Sequence, residues 1–158
     1  PYPIILLFTQ GTQICLSHSN KRVKQAKKEK WVVEDPLYTD WIDLASSTTA
    51  QAGFMEDCNI NSFSFTNFLS FYKSLTERVI AINCAAHSGR YERDVGDNIE
   101  NISSESRLER LCELEKLNLQ KTEIANKLKK ENQMGRQVEL NTKIKQINDV
   151  IEKIRESI

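Results

Sequence analysis

The strongest hydrophobic pattern lies in the carboxy-terminal part of the chain. Leu140, Ile144, Ile147, Ile151, Ile154 and Ile158 recur in alternating steps of four and three. That is the heptad spacing that lines one face of a helix with an apolar seam. Such a seam needs a second helix to cover it, and the sequence supplies one upstream. At about 100° per residue, Leu114, Leu117, Ile124 and Leu128 fall on one side of that helix. Between the two runs stands Gln133-Met134-Gly135-Arg136, and glycine readily adopts the left-handed geometry that ends a helix. The pattern predicts a long antiparallel helical hairpin, coiled-coil-like, over residues 97–158 with its hinge near 133–136. The rival arrangement is one helix running unbroken through Gly135 and zipped to other chains, because glycine costs only about 1 kcal/mol inside a helix.

The remaining surface of the hairpin is charged. Glu123 with Lys127, Glu139 with Lys143, and Asp149 with Lys153 stand four apart, acid first. Each pair adds only about 0.2–0.5 kcal/mol, so burial of the seam dominates. Leu108, Cys112 and Leu119 form a second stripe almost opposite the first. It needs a cover of its own, either the amino-terminal domain or a second subunit, and is the candidate protein interface.

Residues 1–96 read as a small α+β domain. Pro3 to Thr9 is apolar on both faces and predicts a buried strand. Gln10-Gly11 marks a turn, and Thr12 to Ser17 a second strand antiparallel to the first. Trp31 to Glu34 predicts a third strand, stopped by Asp35-Pro36, and Leu37 to Ile42 a short strand or extended edge. Ala45 to Asn61 has no periodicity and is expected to be a loop. Phe68, Tyr72, Leu75, Val79 and Ile82, with Phe65, Leu69 and Phe71 alongside, mark a helix with a broad apolar face suited to covering the strands. Asp97-Asn98-Ile99-Glu100 and Ser106-Arg107-Leu108-Glu109 both have capping-box spacing, so the long helix is expected to start at one of them. The fold class is therefore α+β: a small antiparallel β-sheet covered by a helix, followed by the hairpin. The chain opens on Pro1 rather than Met, and an upstream part carrying further chemistry is an open expectation.

Charge narrows the partners. Lys+Arg and Asp+Glu are equal at 22 each, so any attraction to nucleic acid must be local. The one local concentration is Lys21, Arg22, Lys24, Lys27, Lys28 and Lys30, opposed only by Glu29. Such a run can neutralise phosphates and is the candidate DNA contact, although no aromatic side chain lies within it to stack on bases. One short basic run is weak evidence for such contact, and the plainer reading is a solvated hairpin loop. Cys15, Cys58, Cys84 and Cys112 are far apart and form no CxxC, which points to a reducing, cytoplasmic compartment rather than a disulfide framework. Cys84 and His87 make a lone C-x-x-H, too few ligands for zinc. The longest apolar run, Ile4 to Phe8, is far too short to cross a bilayer. Glu34, Asp35, Asp40 and Asp43 gather in one stretch, but their spacing matches no two-metal pattern and they read as turn acids. No catalytic, cofactor-binding or metal-ligating residue is assigned, and no cofactor or small-molecule ligand is expected.

Two stretches carry a resemblance. Pro1-Tyr2-Pro3-Ile4-Ile5-Leu6-Leu7-Phe8, with Trp31-Val32-Val33, Tyr38 and Thr39-Asp40-Trp41 downstream, is the first. Lys130-Glu131-Asn132-Gln133-Met134-Gly135-Arg136-Gln137-Val138-Glu139-Leu140-Asn141 is the second. In this order they resemble a family of bacterial proteins known only as a domain of unknown function, over its carboxy-terminal two thirds. Members of that family are often encoded beside DNA methyltransferase and helicase genes of restriction-modification type. The resemblance implies a cytoplasmic accessory protein of a restriction or defence system and supplies no catalytic residues.

Three functions are thus expected in turn. The first is a non-catalytic interaction protein that uses the hairpin to meet a protein partner or a second copy of itself. The second is a DNA-binding subunit acting through residues 21–30. The third is a nuclease whose site lies mostly outside these residues and only partly in Glu34, Asp35 and Asp40.

Overall fold

A computed structural model of the chain describes residues 4–19, 36–93 and 103–158, together with the backbone of 21–23 and 31–33. The chain divides into two compact units, Pro1–Ile99 and Glu100–Ile158.

The first unit carries the strands. β1 (Ile5–Gln10) and β2 (Gln13–His18) form an antiparallel hairpin, in register from Ile5 opposite His18 to Gln10 opposite Gln13. Gly11 opens its two-residue loop at φ 59°, the left-handed value that primed hairpin turns require. On its other side β2 pairs antiparallel with β5 (Leu37–Tyr38) and β6 (Ile42–Asp43). β3 (Lys21–Val23) and β4 (Trp31–Val33) pair as a separate two-stranded ribbon. The start of the basic run is therefore a strand rather than a loop, and residues 24–30 lie outside the described residues.

β1 corrects one expectation. A strand apolar on both faces was expected to be buried, yet all six of its residues are exposed. It is a strand at the rim of the sheet, paired with β2 alone among the described residues.

A second correction concerns Ala45 to Asn61. This segment contains α1 (Thr49–Asp57), capped by a reciprocal box in which Thr48 accepts from the Gln51 backbone and Gln51 from the Thr48 backbone. The helix buries one large side chain, Phe54, so its sequence has no apolar stripe, and the capping residues were its only signal.

α2 (Phe68–Ser88) is the covering helix. Asn67 caps its start by accepting from the Ser70 N–H, and Gly89 ends it at φ 76°. Tyr72, Leu75, Val79 and Ile82 are buried as the periodicity predicts, whereas Phe65, Phe68 and Leu69 stand in solvent. The core joins Ile42 of β6, Phe54 of α1, and Ile82 and Ala85 of α2, with Ile14, Ala50 and Tyr91 packed against them. Asn83 of α2 donates its side-chain amide to the Tyr38 carbonyl at 2.8 Å, and Tyr72 donates its hydroxyl to the Ser19 carbonyl.

The second unit is the helical hairpin. α3 (Ser104–Leu128) starts at an N-cap supplied by Ser103 rather than at Ser106, and Asp97 to Glu100 lie outside the described residues. α4 (Met134–Glu156) returns beside it. Leu114 and Ile151 are buried, and Leu117, Ile124, Leu128, Leu140, Ile144, Ile147, Ile154 and Ile158 are half-buried along the same seam. Arg110 near the start of α3 donates to the Ser157 carbonyl at the end of α4, which fixes the antiparallel sense.

The bend comes slightly before the expected hinge. Residues 129–133 make the turn, and Gly135 lies inside the first turn of α4. Glu131 explains the shift. One carboxylate oxygen accepts from the Asn132 and Gln133 N–H groups at 2.9 Å each. The Glu131 carbonyl accepts from the Gln137 side chain at 2.6 Å. Glu131 thus closes the turn just ahead of α4 through the amides of its two successors, and no left-handed glycine is needed.

Candidate functional site

The seam between α3 and α4 uses only one face of each helix. On α3, Leu119 is 62 % exposed, Cys112 is exposed and Leu108 is half-buried. Met134 and Val138 on α4 are also in solvent. The acids Glu105, Glu109, Glu113 and Glu115 are exposed on the amino-terminal half of α3, and Lys127, Lys129 and Lys130 at its other end. The arrangement is a stiff arm with scattered apolar side chains among charges. It can present contacts to a protein, and it gathers no nucleophile, base or metal ligand set.

The most ordered polar cluster of the first unit joins α1 to α2. Arg78 has no exposed surface, and its guanidinium is fully occupied. Nε donates to the Asp57 carbonyl at 3.0 Å, and the other two nitrogens reach Ser74, Ser62 and the Asp57 carboxylate. Its Cζ lies over the Phe63 ring, 4.0 Å from the centroid, a favourable cation–π contact. The second Asp57 oxygen accepts from the Tyr91 hydroxyl at 2.8 Å and faces Arg93 at 3.3 Å. Burial, reinforced by that hydrogen bond and by the Asp57 charge, pushes the Tyr91 hydroxyl far above its usual range. Burial also pushes the adjacent Cys58 thiol up to about 11, with Arg78 opposing and Asp57 adding to the rise. A neutral tyrosine, a protonated thiol and a saturated arginine form a clasp between helices rather than a reactive centre.

A cleft of about 400 Å³ opens where the start of α1 meets α2, lined by Asp40, Thr48, Gln51, Ile82, Asn83 and Gly89 among others. Thr48 and Gln51 are hydrogen-bonded to each other's backbone and Asn83 to Tyr38, so these groups already have partners within the fold.

The remaining sequence candidates separate. Lys21 and Arg22 lie on β3, with only their backbone described, and Lys24, Lys27, Lys28 and Lys30 lie outside the described residues. Glu34 and Asp35 also lie outside them, and Asp40 is exposed. Asp43 accepts from the Ala45 N–H at 3.0 Å and the Ser46 hydroxyl at 3.0 Å, which hold its carboxyl below the usual range, the Ala45 bond most strongly and a Thr12 contact adding to it. That is the geometry of a turn acid. Cys84 is buried and His87 half-buried on α2, and no group of three or more His, Cys, Asp or Glu among the described residues has metal-binding geometry. No helix among the described residues is long and apolar enough to cross a membrane.

His18 was not anticipated. It is 3 % exposed, and neither ring nitrogen has a hydrogen-bond partner among the described residues. Its ring meets Tyr72 of α2 edge-on at 5.0 Å, and burial lowers its pKa. A histidine in an alternating strand has no pattern of its own, so only the packing of α2 reveals it.

A sequence model of a protein family, described as Domain of unknown function (DUF4391), matches residues 1–151. No curated protein matches the chain, and no solved structure matches it.

Proposed function

The chain belongs to that family of unknown function, whose description assigns no activity, and we propose that it is a non-catalytic interaction protein whose helical hairpin contacts another protein. The observation that carries this reading is the division of α3 into two faces. Leu114, Leu117, Ile124 and Leu128 lie along the seam with α4, while Leu119 and Cys112 stay in solvent on the other side. Solvent-facing apolar side chains on a rigid, charge-flanked helix are the kind of anchors that helix-mediated recognition uses.

The finer reading is a cytoplasmic accessory subunit of a bacterial DNA restriction or defence system. Two features support it: the resemblance carried by residues 1–8, 31–41 and 130–141, and the free thiols of Cys15, Cys58 and Cys112, which suit a reducing compartment. The experiment mixes the chain with a restriction-type methyltransferase or helicase from the same genome and follows co-elution. A complex that Leu119→Glu dissolves is expected. Separate elution of the wild-type chain contradicts the accessory role, and a complex indifferent to Leu119→Glu contradicts the hairpin as its site.

A second reading, DNA contact, rests on the six basic residues between 21 and 30. Reversing Lys24, Lys27 and Lys28 to Glu is then expected to weaken duplex binding and flatten its salt dependence, since each phosphate contact adds about one unit to that slope. Absence of binding by the wild-type chain at low salt removes this reading.

A further inference from the structure

We infer that β1 is a self-pairing edge: the β1 strands of two copies of this chain join antiparallel across a twofold axis at Leu7, making one continuous sheet through both first units.

The free side of β1 can be read from its neighbour. The Leu16 N–H donates to the Thr39 hydroxyl at 3.1 Å, and the Leu16 carbonyl accepts from the Thr39 N–H at 2.9 Å. Leu16 therefore turns both backbone groups away from Leu7, which stands opposite it in β1. In an antiparallel ladder such non-bonded pairs alternate with bonded ones. Leu6 and Phe8 exchange bonds with β2, while Ile5, Leu7 and Thr9 direct their N–H and C=O groups to the open edge. Among the described residues nothing meets them.

The chemistry of the strand suits its own copy. Residues 1–20 contain no Asp, Glu, Lys or Arg. Natural edge strands guard against edge-to-edge pairing with a charge, a proline or a bulge. Ile5–Gln10 has no charge and no proline, and its register with β2 is unbroken. Two copies therefore meet with no like-charge repulsion and bury no ion. Ile4 through Phe8 are each 41–60 % exposed, with Ile5 and Leu7 on one face of the strand and Leu6 and Phe8 on the other, so the edge is apolar above and below its free backbone groups.

The register follows from the backbone. With the axis at Leu7, the two Leu7 residues exchange both hydrogen bonds, and Ile5 does so with the partner's Thr9. Leu6 faces the partner's Phe8 as a non-bonded pair, the arrangement that brings cross-strand side chains closest. This register uses the whole strand and pairs aliphatic with aromatic twice.

The test begins with the solution mass of the 158-residue chain, which is expected to be twice that of one chain. Leu7→Pro removes an N–H that points only at the open edge and leaves the β1–β2 ladder intact, as edge prolines do. It is expected to give a monomer with unchanged far-ultraviolet circular dichroism. Leu6→Lys/Phe8→Lys and Leu6→Glu/Phe8→Glu are each expected to be monomeric alone and to form a mixed dimer together. A monomeric wild-type chain overturns the inference. So does a dimer indifferent to Leu7→Pro, or a failure of the two charged variants to combine.

Discussion

Arg78 and Asp57 meet across the α1–α2 junction, guanidinium to carboxylate at 3.3 Å and guanidinium to main-chain carbonyl at 3.0 Å, with the arginine wholly buried. Asp57 ends α1, so one side chain of α2 fixes where that helix stops and where the following 3-10 turn at Ile60–Ser62 begins. Arg78→Met leaves the Ser62 and Ser74 carbonyls without this donor, while Asp57 keeps Tyr91 and Arg93. It is expected to cost at least about 1–3 kcal/mol in urea unfolding. Arg155→Ala, which breaks an exposed pair with Glu152, is expected to cost no more than about 1 kcal/mol. Equal losses in the two variants contradict this ranking.

His18 makes the first unit sensitive to acid. Its folded pKa lies below the ordinary value of 6.5 because burial disfavours the cation. The unfolded chain then binds the proton more readily, and stability rises with pH wherever that is so. The His18 contribution is complete above about pH 6.5 and is lost as the pH falls from there toward the lowered folded value. Melting temperature between pH 7.5 and 5 checks this. A steeper fall in the wild-type chain than in His18→Phe is expected, and parallel curves count against it.

Two glycines separate a turn that needs a left-handed residue from one that does not. Gly11 sits at φ 59°, whereas Gly135 is helical with open space where a Cβ would stand. Gly135→Ala is expected to stabilise the hairpin by up to about 1 kcal/mol. Gly11→Ala is expected to destabilise the β1–β2 turn by at least a comparable amount. Chemical denaturation of both variants decides the matter, and destabilisation by Gly135→Ala would return the hinge to that residue.

The cysteines should differ in reactivity. Cys112 is exposed on α3, Cys84 is buried on α2, and the half-buried Cys58 thiol is held protonated well above neutrality. Because the thiolate is the nucleophile, iodoacetamide at pH 8 is expected to modify Cys112 first, with Cys58 and Cys84 lagging until the protein unfolds. Peptide mass mapping at short times reads the order directly, and early labelling of Cys58 is the adverse outcome.

The helical parts were legible because burial repeats along them. Ile144 to Ile158 and Tyr72 to Ile82 announce their buried faces by spacing alone. α1 was missed because a nine-residue helix with one buried side chain, Phe54, has nothing to repeat, and the Thr48–Gln51 box was its only sign. β1 was recognised as a strand but misplaced as buried, since an apolar sequence shows that a strand wants cover and not that the cover is present. The Glu131 turn was hidden because a glycine four residues later offered a simpler reason for the bend. The Arg78–Asp57 clasp links residues 21 apart through three-dimensional packing, and no local pattern encodes it.

The interaction reading depends on the hairpin being closed on itself, and one distance tests that most directly. Spin labels placed at Glu105 and Glu156, in a chain whose native cysteines are replaced, mark the start of α3 and the end of α4. Closed antiparallel arms place these ends within roughly 20 Å of each other, since packed helices lie about 8–10 Å apart and the labels add their own reach. One unbroken helix through the turn would hold them about 75 Å apart at 1.5 Å per residue. A single narrow distribution near the short value is the predicted result, and density at the long one contradicts the account.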